Sequence, residues 1–580
     1  MKPVTAREQE RGATHLRRDG WQVAARIMSL FDAAASSHRR AGLFLVLLCL
    51  AALLPGMFAI PPVDRDEARF AYVSRQMVET GDLAEVRVGL EARHTRPLGL
   101  HWIQAGIVRA AEAAGYAKAP RTIGLYRLTS LAGGIAAALL TYWAALAFTS
   151  RRAALFAATL LVSSASFGVA GRLALPDMPL VACIAAMMGA LGRLYMRDAV
   201  ADAGGWRLPA ILWSALALAL MVKGLIAPLY PALAVGALVA VDRSARVLRG
   251  SAPLAGLGLC LVVGALWFVL RHFGGSDGDP ALRALTGAVR PVFDGFRALP
   301  GTYLLMFWGM FWPGAPLAAL AVPIVWKARR LRAMRFLVAW VLPAWILFEL
   351  LPAKVPAQLM PVFPALAILI AVAVERGALA LSNTRLVRVL WLWPVIGALI
   401  AVLALLGLAV FDGTTSLLAW PLLIAGFYAL VTAASFVRDY GIEKATLLAI
   451  AGMLVSGFGV VQLVLPQMQS LWISPRLAAL ASRTPCAEGS GERIVAAAGF
   501  SEPSLLFAMP GPVRFVDGEG AADFLDQPGC RVVFVERRQE ARFGRRAEWL
   551  GLHIERGAEV AGFDPAAGRR VRLSLYRNAD

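Results

Sequence analysis

Thirteen apolar runs dominate this chain, at 41–60, 122–149, 153–170, 178–196, 208–222, 225–241, 252–270, 302–326, 336–351, 357–374, 388–410, 415–436 and 445–465. A helix that crosses a bilayer needs roughly 20 mostly apolar residues, and most of these runs approach that length. As a soluble protein, 580 residues would make several domains. Yet 58% of the residues are hydrophobic and only 17% are charged, against about a quarter charged in a soluble domain. The expected architecture is an all-α polytopic membrane protein with thirteen transmembrane helices over 41–465. The shortest runs leave room for a re-entrant hairpin at 208–241.

In a soluble protein, the net charge of +20 would point to nucleic acid. Here the bases cluster in short loops between apolar runs. Membrane orientation explains that pattern better, so no nucleic-acid partner is expected. Residues 1–40 carry eight Lys/Arg against four Asp/Glu and lack a signal-peptide cleavage pattern; they read as a basic cytoplasmic tail. Alternating from there, the loops at 151–152, 197–207, 242–250, 327–335, 375–388 and 438–444 fall inside, and 327–335 has five bases and no acid. That distribution satisfies the positive-inside rule. The first long loop, 61–121, then lies outside, as do 171–179, the Lys223-Gly224 turn, 271–301, 351–357 and the segment 466–580.

The last segment differs in composition. "RIVAAAGF", "VRFV" and "RVVFVE" read as strands, 502–509 and 520–526 as helices, and Arg570–Tyr576 as a final strand. Alternation of this kind predicts a small α/β domain. With fifteen bases and fourteen acids over 470–580, it contributes little of the net charge. Cys49, Cys183 and Cys260 sit in apolar runs and read as small hydrophobes. Cys486 and Cys530 suit a disulfide if this segment is exported. No Cys/His spacing points to a metal site, and no cofactor is expected.

The chemistry-bearing residues gather outside. Asp64-Arg65-Asp66-Glu67 opens an amphipathic pattern with Phe70, Val73 and Met77 on one stripe and Gly81 as a stop. Asp64 and Glu67 suit helix capping; Asp66 is the catalytic candidate. Asp177 lies between two prolines in "GRLALPDMPL" and either caps the following helix or serves as a second catalytic carboxylate. Arg96, Lys223 and Lys354 each adjoin Pro or Gly at the outer face. Cations there reach headgroups by snorkelling or line a polar cavity. Three of them beside two loop carboxylates favour a site for an anionic lipid headgroup, with Arg suited to bidentate phosphate contact and Lys to a point charge. Glu67, Arg69 and His101 are candidates for supporting roles, and His94 and His101 flank Arg96.

In "DEARFAYVSRQMVETGD", "RPLGLHWIQA", "GRLALPDMPL", "LMVKGLIAPLYP", "FWPGAPLAALAVP" and "AKVPAQLMPVFPALAILI", the chain resembles the bacterial aminoarabinose transferases of lipid A. Their wider group includes lipopolysaccharide galacturonosyltransferases and, more distantly, protein O-mannosyltransferases. The pieces come in the family's order over about 60–375. The resemblance implies a polytopic C-type glycosyltransferase fold in the inner membrane, a polyprenyl-phosphate sugar donor and a lipid or glycolipid acceptor at the periplasmic face. It implies Asp66 and Asp177 as the family's loop aspartates, and Arg96, Lys223 and Lys354 as its donor-phosphate cations. Thr95-Arg96-Pro97 replaces the transferase's usual Glu-Lys-Pro; the missing Glu can contribute to a metal site in that family.

The residue types also fit the reaction by themselves. A glycosyl phosphate carries its leaving group, so the protein must hold the phosphate, neutralise charge as the bond breaks and accept the acceptor's proton. The expected enzyme is an inverting hexosyl- or pentosyltransferase. A transporter or flippase of a lipid-linked sugar is the other class considered. Such proteins often show internal repeats and midplane sites, whereas here the charges lie at one surface and no repeat is evident.

Overall fold

The computed structural model of the chain describes residues 22–83, 97–197, 205–245, 250–273, 295–377, 387–485, 493–565 and 567–578, with isolated positions at 87–88, 91–92, 248 and 379. Helices occupy every expected apolar run. The elements that build the end bearing the first long loop are α1 (His38–Leu53), α2 (Asp66–Thr80), α3 (Gly99–Ala113), α4 (Ile123–Ala145), α5 (Asp177–Met196), α6 (Arg207–Lys223), α7 (Ile226–Asp242) and α8 (Arg332–Leu350).

Helix length and composition do not by themselves confirm thirteen full crossings. Among the described residues, six are long and apolar enough to cross a membrane: α4, α5, α8, Pro356–Glu375, Arg388–Asp412 and Ile442–Gln467. The number rises to seven if Thr302–Met310 and Gly314–Lys327, bent by 119° at their junction, count as one span. The reason is length. Several expected spans form helices of 16 or 17 residues, as in α1, α6 and α7. At about 1.5 Å per residue, 17 residues reach roughly 26 Å, short of the ~30 Å hydrocarbon core. The run at 153–170 is broken at Ser163-Ser164 into Arg151–Val162 and Ala165–Ala170.

The first long loop is built from α2 and α3. As the stripe predicts, Phe70, Val73 and Met77 are buried, and Gly81 ends α2 with a φ of 77°. Val73 and Met77 pack with Leu98 and Ala105 of the next helix. Two close approaches set the helices beneath. A side chain at Gly133 of α4 would meet the Pro179 nitrogen at 2.6 Å, and one at Gly99 would meet the Met221 carbonyl at 2.6 Å. Glycine at these positions lets α4 seat the start of α5, and lets α3 seat against the end of α6.

The C-terminal domain is a five-stranded sheet: β1 (Ile494–Ala498), β2 (Val513–Val516), β3 (Arg531–Glu536), β4 (Ile554–Asp564) and β5 (Arg569–Asn578) in the order β2-β1-β3-β5-β4. β1 runs parallel to β2 and β3, while β5 runs antiparallel to β3 and β4. Its helices include Ile473–Arg483, Pro503–Ala508 (α9), Gly518–Leu525 and Glu540–Leu550. The expected strands and the two expected helices are present. The first and last of these helices and β4 are additions. Cys530 is disulfide-bonded; Cys486 lies outside the described residues.

Candidate functional site

Three carboxylates open α2, and the fold gives each a different fate. Glu67 is sealed inside: Arg127 donates to it from Nε at 2.7 Å and from Nη2 at 2.8 Å, and the backbone amides of Val63 and Ala174 donate at 2.8 and 2.9 Å. The guanidinium also donates to the carbonyls of Met57, Ile60 and Pro61. Both side chains are almost wholly buried. The capping expected of Glu67 is not made: its bond to the Val63 amide lies two residues before the N-cap Arg65, and it belongs to a larger knot joining α2, α4 and the loop before α5. Arg127, an arginine inside an apolar run, was missed at the sequence level. Its signal was that position, since an ionisable group there needs a partner.

Asp64 caps a helix, though not its own. Its Oδ1 accepts from the Ser504 amide at 3.0 Å, at the start of α9 in the C-terminal domain, whereas α2 has no side-chain cap. Burial pushes the Asp64 carboxyl above its usual range. Glu502 is pushed up to about 7, first by burial and then by Asp64 and Asp564, with Arg65 and Arg69 pulling the other way. Between Asp64 and Asp66, Arg65 holds a φ of 68°, a conformation costing a non-glycine residue about 1–3 kcal/mol.

Asp66 is the exposed member, with 64% of its side chain accessible and Arg69 Nη1 4.0 Å away. Its neighbour Glu67 is bonded to Ala174, three residues before Asp177, so the two candidate aspartates share one end of the bundle. Asp177 begins α5 and pairs with Lys223, the last residue of α6. The pair is mostly buried, at 9% and 18% side-chain exposure. A carboxylate and an ammonium at a membrane edge are expensive to desolvate singly, and their contact offsets part of that cost.

Lys354 is fully buried. Its Nζ donates to the carbonyls of Phe348, Glu349 and Leu351 at 3.0, 2.6 and 2.7 Å. An ammonium has three protons, and here all three serve the end of α8. Glu349 in turn accepts from the amides of Gly301, Tyr303 and Leu304, capping the helix Thr302–Met310. The Tyr303 ring faces Lys354 Nζ at 5.3 Å, and its hydroxyl donates to Val355 O and Gln358 Oε1. Tyr230 of α7 donates to Gln358 O at 2.6 Å and lies within electrostatic range of Asp177. These tyrosines and Gln358, not singled out in the sequence, tie the Lys354 turn to α7 and to the helix Thr302–Met310.

His101 is a core histidine: Nδ1 meets Ser74 Oγ at 2.8 Å, and the ring stacks on Phe70 at 5.2 Å. Arg96 and His94 lie outside the described residues, although Pro97 packs beside the Gly224 turn. Among the described residues, no group of three or more His, Cys, Asp or Glu is placed to hold a metal ion.

Residues 42–270 match the dolichyl-phosphate-mannose-protein mannosyltransferase family. The crystal structure of ArnT from Cupriavidus metallidurans in the apo state superposes with a TM-score of 0.70 at 18% identity, covering 92% of this chain and 97% of that one. The same enzyme bound to undecaprenyl phosphate gives 0.69 at 18% identity, with the same coverage. This chain has the ArnT fold. No curated protein sequence matches it. The ArnT fold thus extends over membrane part and C-terminal domain together, and the matched family segment contains Asp66, Arg127, Asp177 and Lys223 but not Lys354.

Proposed function

We propose that the chain is a glycosyltransferase that moves a sugar from a polyprenyl-phosphate donor to a lipid or glycolipid acceptor, lipid A or a similar envelope lipid, at the periplasmic face of the bacterial inner membrane. What supports this reading is an exposed aspartate, Asp66, at the same end of an ArnT-like bundle as the paired Asp177 and Lys223, linked to them through the bond of Glu67 to Ala174. One ArnT structure of this fold binds undecaprenyl phosphate, which supports a donor of that chemistry. The matched mannosyltransferase family supports transfer from a prenyl-linked sugar.

In this scheme the acceptor hydroxyl attacks the anomeric carbon, the carbon–oxygen bond to the phosphate breaks, and the hydroxyl proton passes to Asp66. Attack opposite the leaving group inverts the anomeric centre. Lys223 offers positive charge to the departing phosphate. Asp177, engaged with Lys223, orients that ammonium. Arg96 is proposed as a second phosphate contact. Lys354, committed to the end of α8, holds the turn that follows it; direct phosphate contact would require it to give up these bonds.

The test is Asp66→Asn in purified full-length protein, assayed with radiolabelled polyprenyl-phosphate sugars and envelope lipids. Transfer should fall by roughly 10²–10⁴, the usual worth of general-base help, with insertion unchanged. Full activity would remove Asp66 from the role. No transfer by the unaltered protein with any donor, together with movement of a lipid-linked sugar across vesicles, would replace the proposal with transport.

A further inference from the structure

The short helix α9 belongs to the C-terminal domain, yet both its ends are held by α2 and its approach. At its start, Asp64 accepts from the Ser504 amide at 3.0 Å. At its finish, Arg75 Nη1 donates to the carbonyls of Phe507 and Met509, each at 2.8 Å, and Nη2 reaches Pro510 O at 3.4 Å. The first amides and last carbonyls of any helix lack partners within it, and the ends carry opposite partial charge. An anion from the α2 side meets the positive end, and a cation meets the negative end. The short helix therefore lies along α2 and runs in the same direction.

The grip is buried rather than superficial. Arg75 is 3% exposed, and its Nε donates to Glu79 at 2.7 Å. Between the two ends, Phe507 enters a cluster with Ala71 of α2, Val108 of α3, Tyr126 of α4 and Ala174 of the loop before Asp177. Its ring meets that of Tyr126 edge-on at 5.5 Å.

We propose that the C-terminal domain is a positioning element for Asp66, acting through this two-ended grip, with Asp64 and Arg75 as its positioning residues. Asp66 stands between two anchored carboxylates: Asp64 is tied to the C-terminal domain, and Glu67 to Arg127 and Ala174. Arg65, between the anchors, holds a backbone conformation unfavourable to a side chain, which persists only while both sides are fixed. Loosening the Asp64 anchor lets Arg65 relax and turns the first residue of α2 away from the Asp177–Lys223 pair.

The catalytic consequence rests on Asp66 being the base; the positional one does not, so two readouts are used on the full-length protein. Asp64→Ala and Arg75→Met are compared with the conservative Asp64→Asn, whose amide oxygen still accepts from Ser504. Hydrogen exchange should rise together in peptides over 62–70 and 503–510 for the first two variants and stay near the unaltered protein for Asp64→Asn. With a polyprenyl-phosphate sugar the protein uses, kcat should fall roughly tenfold to a hundredfold, as expected for a misplaced catalytic group, with donor KM little changed. Unchanged exchange over 62–70 in Asp64→Ala and Arg75→Met overturns the grip, as does equal loss of activity in Asp64→Ala and Asp64→Asn. If the unaltered protein transfers no sugar but exchange rises as expected, the grip stands and the function proposed above fails.

Discussion

Two carboxylate–cation pairs sit near the same end of the bundle and differ in how completely they are satisfied. Glu67 and Arg127 are both almost wholly buried, and seven hydrogen bonds, five from the arginine and two from backbone amides, close the pair on every side. Asp177 and Lys223 retain some exposure and meet across the ends of two helices. The first pair stitches three segments together and has little capacity left for a ligand. In the second, among the described residues, one ammonium proton engages Asp177 out of the three an ammonium carries, so an arriving phosphate can share the cation. Ion pairing alone therefore does not mark a site; remaining capacity and access do.

Removing Arg127 breaks this contrast most severely. Arg127→Met leaves Glu67 charged and buried, a loss of about 3–5 kcal/mol for a broken buried pair. Folded protein should largely disappear from detergent extracts followed by fluorescence-detected size exclusion. Lys223→Met should leave that elution profile intact while transfer falls by roughly 10²–10³, the range for losing one group that stabilises developing charge; initial rates check it. If both substitutions behaved alike, the distinction between the pairs would collapse.

The smallest effect concerns pH. Glu502 faces Asp64, Asp564, Arg65 and Arg69, and burial leads the causes that push its carboxyl up to about 7. A raised carboxyl favours the folded state while protonated. Its contribution is complete below the ordinary value of 4.5 and is lost as pH rises through about 7. The raised Asp64 carboxyl acts in the same sense. Melting temperature of the unaltered protein should therefore decline more steeply between about pH 5 and pH 7 than that of Glu502→Gln, as read by differential scanning fluorimetry.

Much of the bundle was legible because apolar runs leave few alternatives to helix. Helix length supports fewer full crossings than hydropathy does, because hydropathy marks where a helix forms and says less about whether its length matches a bilayer. Phe70, Val73, Met77 and Gly81 announced α2 by spacing alone. The separate fates of Asp64, Asp66 and Glu67 were only half visible: local capping rules cannot foresee that Asp64 would cap a helix from another domain, or that Glu67 would meet Arg127. Lys354 misled for a related reason. A lysine beside proline at a membrane edge looks available for phosphate, and only tertiary structure shows its protons committed to carbonyls. β4 escaped notice because most of its first residues are exposed, so the inside–outside alternation that betrays a strand is faint there. Its polar sequence suits a sheet edge.

Asp64 and Ser504 are 440 positions apart. During synthesis the helix that begins with Asp66 emerges long before the segment that fastens it. The corner bearing Asp66 stays unfinished until that segment has been made, so a chain cut short after residue 467 would keep its bundle yet lack the settled form of this corner.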